Sequence, residues 1–275
     1  LVRVRAHTEA CKAMHQSHAL TGRLFGYVQE LAESYKNHSA LQQYGQVARD
    51  QWIRAVAAAL PATATVLDVG AGETPYRDDF SHCQYKTQDF AQYDSASDPS
   101  AQNPWKYGDI DYVCDLTDIP VPDGSFDVVI CTEVLEHVPE PIRAIAELSR
   151  ILADGGRLYL SAPMRSAVHQ APHHYYGGFT PYFYQEFLPR YGFTLDSIVA
   201  PGGLFKGFQE ECFRVGDACL TMRKDKRDDV LNHIINFVFY VLFPHIFTKL
   251  DERHKHDAFA AGWQVEATKQ TRPSS

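Results

Sequence analysis

Two short apolar runs, residues 126–131 (FDVVIC) and 157–161 (RLYLS), flank a helix-spaced segment, and this succession limits the folds open to the chain. In the intervening PIRAIAELSRIL (141–152), Ile142, Ile145, Leu148, Ile151 and Leu152 mark one helix face, which Asp154-Gly155-Gly156 then closes. Strand, helix and strand joined in this way make a right-handed parallel crossover. Runs of the same kind precede them at 65–69 (TVLDV) and 85–90 (YKTQDF), and 193–200 (FTLDSIVA) and 263–268 (WQVEAT) follow. These six runs and the crossover point to an α/β fold built on a mostly parallel sheet.

Around this core the chain divides into a helical N-terminal segment (1–60), the core itself (61–202), a helical insertion (203–260), the last strand (261–268) and a tail (269–275). Leu24, Tyr27, Val28 and Leu31 carry the helical spacing of the first segment. With 275 residues, 45% hydrophobic and 22% charged, the chain can bury a large core, which excludes wholesale disorder and a polytopic membrane protein. Lys+Arg number 26 against 34 Asp+Glu, a net charge of −8 that argues against nucleic acid as a partner. The six cysteines form no CxxC pair, and LVRVRAHTEACK lacks the apolar run of a secretory leader, so a reducing, cytoplasmic location is expected. The longest apolar run, 234–243, is stopped by Pro244, short of the roughly 20 residues a span needs, and no transmembrane segment is expected. As a helix, 231–243 is apolar nearly all round and must be covered. A lid or a homodimer interface is the expected cover, with peripheral membrane contact as the other reading.

The 65–69 run leads straight into Asp68-Val69-Gly70-Ala71-Gly72-Glu73-Thr74-Pro75. Glycines here let the backbone approach a ligand at the carboxyl end of the first strand, where such sheets bind nucleotides. A nicotinamide dinucleotide would want a third small residue so that the next helix can aim its N-terminus at a pyrophosphate; Pro75 and Tyr76 stand there instead. S-adenosyl-L-methionine carries a nucleoside and no phosphate, and needs the close approach plus an acid for its ribose. Asp89, 17 residues after Gly72 at the end of the second strand, supplies one; its plainer reading is a turn aspartate. Asp115, followed by Leu116, is placed to accept the adenine amino group, or else simply caps a loop.

VLDVGAGETPYRDDF, with CDLTDIPVPDGSFDVVICTEVLEHVPEPIRAIAELSRILADGGRLYLSAPM after it, resembles the class I SAM-dependent methyltransferases, in particular the ubiquinone-biosynthesis-like type 11 group, over residues 60–200. The resemblance implies a Rossmann-like α/β fold, a doubly wound seven-stranded sheet that is mostly parallel with an antiparallel last strand, S-adenosyl-L-methionine as cofactor and S-adenosyl-L-homocysteine as product. It implies cofactor contacts at Gly70, Asp89 and Thr132; with their neighbours, the expected cofactor set is Asp68, Gly70, Ala71, Gly72, Asp89, Asp115, Leu116, Thr132 and Glu133. An arginine of the helical preface often reaches the methionine carboxylate in this family, and Arg49 and Arg54 both qualify. The stretch from His169 to Thr180 (HQAPHHYYGGFT) is similar to one found in members from bacterial sugar and cell-surface polysaccharide pathways, though Gly177 and Gly178 stand where that pattern has an arginine.

In-line methyl transfer to a hydroxyl requires collinear placement and removal of a proton, which suits a histidine. His173 is the leading candidate base, with His137 and His169 behind it. His137 also reads as a packing histidine on a helix after the fourth strand. The histidines of the loop have ligand-like spacing but no carboxylate among them, and no metal is assigned. The expected activity is O-methylation of a small molecule, a sugar or related metabolite. A quinone or lipid-linked acceptor, and a SAM-binding regulatory or scaffold protein without turnover, are the alternatives.

Overall fold

The computed structural model describes residues 26, 30, 31, 43–98, 104–222, 229–254 and 256–271, so the helical spacing proposed at residues 24–31 lies largely outside the described residues. The chain forms two compact units, one of Gly45–Leu204 with His256–Ser275 and the other of Leu1–Tyr44 with Phe205–Lys255.

The first unit holds a seven-stranded sheet in the order β3-β2-β1-β4-β5-β7-β6. Its strands are β1 (Thr65–Val69), β2 (Gln84–Asp89), β3 (Tyr112–Val113), β4 (Phe126–Thr132), β5 (Leu152–Pro163), β6 (Phe193–Val199) and β7 (Gly262–Lys269). The first five pair in parallel, whereas β7 runs antiparallel between β5 and β6. This is the Rossmann-like sheet that the resemblance implies; six of its strands coincide with the runs, and β3 is one that no run marked. Alternate residues serve opposite faces, so Leu67, Val69, Val129, Cys131, Leu158 and Leu160 bury on one side and Val66, Val128, Ile130 and Tyr159 on the other. Helices α2 (Pro141–Ile151) and α3 (Pro181–Arg190) cover the first face. Ile53, Val56 and Ala57 of α1 (Tyr44–Ala59), with Tyr76 and Phe80, cover the second.

Two local expectations are corrected. Residues 152–156 do not merely close α2: Leu152 already pairs with Phe126, and β5 bulges through the glycines before pairing resumes at Arg157 with Val128. Gly155 at φ +77° supplies the backbone that such a bulge requires. The segment after β4 is a single 3-10 turn, Leu135–His137, and not an α-helix. Pro139 and Pro141 stand immediately after it, and a proline removes the N–H that a continuing helix would need.

In the second unit, α4 (Leu204–Met222) is followed by α5 (Asp229–Asn236), a π-helical stretch at Phe237–Leu242 and α6 (Phe243–Arg253). Pro244 does not end the apolar helix. The wider π turns carry the chain into α6 with Pro244 in its first turn, where a missing N–H is tolerated. Val230–Arg253 thus makes one helix of 24 residues, long and apolar enough to cross a membrane by length and composition. α4 packs antiparallel to it: the Phe213 ring lies 5.7 Å from Tyr240, Phe208 lies 6.1 Å from Phe247, and a Cβ on Gly216 would come within 2.6 Å of Tyr240. Val230, Leu231, Ile234 and Phe237 remain exposed.

Candidate active site

The strand order reverses between β1 and β4, and open α/β sheets place their binding crevice beyond the carboxyl ends of strands at such a point. A cleft of about 290 Å³ lies there, entirely within the first unit. Gly70, Gly72, Asp89, Asp115, Leu116, Glu133, His137 and His173 all line it.

Gly70 and Gly72 both have positive φ, +65° and +53°. A Cβ on Gly70 would stand 2.3 Å from Val134 Cγ2, and one on Gly72 would stand 2.7 Å from Trp105 Cζ2, so only glycine leaves this wall open. The N–H groups of the turn point inward: Gly70 donates to Gln88 Oε1 (3.3 Å), Ala71 to the Gln88 carbonyl (3.0 Å) and Gly72 to Asp89 Oδ2 (2.9 Å). From Pro75 the chain runs in consecutive turns to β2 with no helix. The usual phosphate cradle, free N–H groups at a helix N-terminus, is therefore absent from this turn.

Asp89 is buried, and its other oxygen accepts the Ala91 N–H at 2.8 Å. Burial raises its pKa, opposed by those backbone donors. Asp68 lies beneath the turn and does not line the cleft; it accepts the Tyr85 hydroxyl at 2.6 Å, and burial pushes its pKa up to about 7. Ala71 is buried and Thr132 ends β4, both outside the lining. Asp115 caps a turn, accepting the Thr117 N–H at 2.7 Å and its hydroxyl at 2.8 Å, while still edging the cleft. Of the two arginines, Arg49 Nη1 lies 3.7 Å from Glu133 Oε1, whereas Arg54 pairs with Asp79 on the exposed side of α1. Glu133 is further held by the Ser161 hydroxyl at 2.7 Å.

The loop after β5 docks on the turn after β4. Tyr175 and Tyr176 donate their N–H groups to the Glu136 carbonyl, and the Tyr176 hydroxyl reaches the Pro139 carbonyl at 2.9 Å. This seats His173 in the lining, its ring 5.0 Å from Phe90, while His169 stands outside the lining. The ring of His137 lies 4.8 Å from that of His169. Burial lowers the His137 pKa to about 4, and the three neighbouring histidines add to the effect, so the ring is neutral near pH 7.

Several lining residues carry no signal that sequence reasoning used. Gln88 binds Gly70 through its Oε1 and the Cys114 carbonyl through its Nε2 at 2.7 Å, which stitches the glycine turn to the end of β3. Trp105 and Tyr107 reach the cleft because Gly108 N–H donates to the Gly72 carbonyl at 2.9 Å, folding a distant loop back over the turn. Their i, i+2 spacing is the one local hint that they share a face.

Residues 41–196, more than half of the chain, match the family described as "Methyltransferase domain". A "Ubiquinone biosynthesis O-methyltransferase" of Xanthomonas oryzae pv. oryzae is 51% identical over 43 residues, 16% of this chain and 18% of that protein. A "Probable S-adenosylmethionine-dependent methyltransferase" of Mycobacterium tuberculosis is 31% identical over 101 residues, 36% of each. The chain thus spans well under half the length of either relative. Among solved structures, an S-adenosylmethionine dependent methyltransferase from Mesorhizobium loti superposes with a TM-score of 0.44 at 17% identity, covering 78% of this chain and 96% of that one.

Proposed function

The chain belongs to the methyltransferase-domain family, and on that premise we propose that it binds S-adenosylmethionine in the cleft beside Gly70 and Gly72 and methylates a small molecule there. The observation that carries this reading is the inward-turned glycine turn, whose N–H groups are spent on Gln88 and Asp89 and which no helix follows. Such a wall suits a nucleoside and leaves a pyrophosphate without donors, so a nicotinamide dinucleotide is the poorer fit. The residues suit the cofactor in two further ways. Asp89 keeps acceptor capacity beyond its backbone bonds for ribose hydroxyls, and Trp105 and Tyr107 bring flat aromatic faces to the same cleft. When bound, the cofactor supplies an electrophilic methyl group on a sulfonium.

In this reading Asp89 holds the ribose, Leu116 and Asp115 border the adenine, and Arg49 with Glu133 sets the charge at the methionine end. His173 takes the acceptor proton, and His137 fixes the loop that carries it, through an Nδ1–H bond of 2.7 Å to the His173 carbonyl. A quinone-type or lipid-linked acceptor is better supported than a sugar. The Xanthomonas relative is named for ubiquinone biosynthesis, and the apolar helix Val230–Arg253, with its exposed Val230, Ile234 and Phe237, suits a chain that works near lipid. Phe90, Trp105, Tyr107 and Tyr175 give the cleft flat aromatic surfaces for a ring.

Two measurements test the proposal. Calorimetry with S-adenosylmethionine and with NAD should show binding of the first only. Incubation with S-adenosylmethionine and phenolic, lipid-linked or sugar acceptors should release S-adenosylhomocysteine with one of the first two classes. Binding without release in any mixture would favour the regulatory reading, and tighter binding of NAD would overturn the cofactor.

A further inference from the structure

Where the His-rich loop meets the turn after β4, one carboxylate oxygen of Glu136 and one nitrogen each of His137 and His169 lie within 4.8 Å of one another. Their hydrogen bonds limit what these groups can do. His137 Nδ1 is 2.7 Å from the His173 carbonyl and His169 Nδ1 is 2.9 Å from the Ala167 carbonyl. A carbonyl only accepts, so each Nδ1 carries the proton and each Nε2 is left with a lone pair. Glu136 is 1% exposed, its Oε2 has no hydrogen-bond partner, and its Oε1 lies 3.8 Å from His137 Nε2. One carboxylate oxygen and two imidazole nitrogens therefore converge on one partly covered point, with Glu136 buried and both histidines half-covered, where a cation would meet all three. The ring of His174, 4.6 Å from His169 and 5.7 Å from His137, adds a further imidazole at the edge.

We propose that Glu136, His137 and His169 bind a divalent transition-metal ion, zinc being the ion this donor set suits best. Two imidazoles and one carboxylate form a recurrent zinc ligand set, whereas magnesium and calcium take oxygen donors. Ligand imidazoles commonly donate the remaining N–H to a carbonyl or carboxylate, which fixes the tautomer, and both rings already do so here. Tetrahedral bonds of about 2.0–2.1 Å put ligand atoms about 3.4 Å apart, so side-chain adjustments of about 1 Å complete the site. Three protein ligands leave a fourth position for water or substrate, and His137 also lines the cleft. The ion site rests on the side chains alone and does not require the methyl-transfer reading; if both hold, the ion lies beside the acceptor end.

The full chain, stripped with EDTA, is titrated with Co²⁺ and then Zn²⁺. The expected result is one ion per chain, with the visible absorption of four-coordinate Co²⁺ displaced by Zn²⁺. His169→Ala, on a half-exposed loop position, and Glu136→Gln, which keeps the side-chain shape, should each weaken Zn²⁺ binding at least about tenfold. No stoichiometric binding would overturn the site, as would unchanged affinity in His169→Ala, since the metal would then sit on others of the 13 histidines. Should Glu136→Gln fail to fold, the His169→Ala titration decides. Calorimetry with S-adenosylmethionine runs on the same samples: a chain that binds zinc and ignores S-adenosylmethionine loses the proposed function alone, and one that binds S-adenosylmethionine and ignores zinc loses the ion site alone.

Discussion

Asp89 Oδ2 accepts the Gly72 N–H and so holds the glycine turn against β2, and in the proposed function the same carboxylate also holds the ribose. Asp89→Asn should weaken S-adenosylmethionine binding by about 10- to 100-fold, the loss of charge-assisted hydrogen bonds worth about 1.5–3 kcal/mol, and calorimetry would read it directly. Unchanged affinity in a folded Asp89→Asn protein would take the ribose role away from this residue. Asp68 gives a pH prediction of definite sign. Its pKa is raised from 3.8 to about 7, chiefly by burial, so between those values the unfolded chain ionises while the folded one keeps its proton. The stability Asp68 contributes is fully present below about pH 4 and is lost as pH rises to about 7, a change on the order of 4 kcal/mol. Asp68→Asn, which cannot ionise, should hold its urea midpoint better than the parent between pH 4.5 and 7.5; parallel profiles would show that Asp68 is already ionised in the fold. Buried histidines such as His137 act with the opposite sign, and the parent-to-variant difference removes them from the comparison.

At the scale of elements, the cleft is kept in shape by contacts between a helix and the loop that borders the site. Arg150, in the last turn of α2, donates to the Ile119 carbonyl at 2.8 Å and the Val121 carbonyl at 2.7 Å while forking onto Glu147. Glu147 in turn accepts the Ile119 N–H at 2.7 Å, so α2 grips the segment that carries Asp115 and Leu116 into the cleft. A lysine cannot reproduce this planar fork. Arg150→Lys should therefore lower stability by about 1.5–3 kcal/mol, seen as a lower melting temperature, and a parent-like melt would show that the fork adds nothing. The turn after β1 and the turn after β4 are coupled by steric contact. Gly70→Ala should cost about 2–4 kcal/mol, part from φ +65° and part from the 2.3 Å approach to Val134. Adding Val134→Ala should return the second part and not the first, which a double-mutant cycle would separate.

For the molecule as a whole, the excursion between β6 and β7 leaves and re-enters the sheet unit at one place. Leu204 N–H donates to the His256 carbonyl at 2.8 Å, and a Cβ on Gly203 would stand 2.6 Å from that same oxygen. The ends of the inserted segment are therefore neighbours, and every residue lining the cleft belongs to the sheet unit. A chain reduced to 45–204 and 256–275, joined by a short glycine linker, should unfold cooperatively and keep its affinity for S-adenosylmethionine. Loss of the cooperative transition would show that the sheet depends on the removed segments. If the truncated chain binds the cofactor and loses only acceptor turnover, the insertion serves the acceptor, as a lid would.

Six of the seven strands, the crossover, the glycine turn and the place of Asp89 at the end of β2 were legible in the sequence because each is written locally, in a β-branched run, a helical spacing, or a glycine where φ must be positive, whereas the two-residue β3 is too short to leave such a pattern. The same locality explains the misreadings. Composition around 135–137 favours a helix and Pro244 argues for a stop, yet the prolines that follow confine the first to one turn, and a π-helical register carries the second through. Only the tertiary structure could bring Trp105 and Tyr107 over Gly72, select Arg49 over Arg54 beside Glu133, or seat β7 between β5 and β6. It alone set Glu136, His137 and His169 around one point, since two of them come from the turn after β4 and the third from the loop after β5. Those relations depend on strand order and on hydrogen bonds between residues far apart in the chain, and no periodicity within a segment records which distant segment will lie beside it.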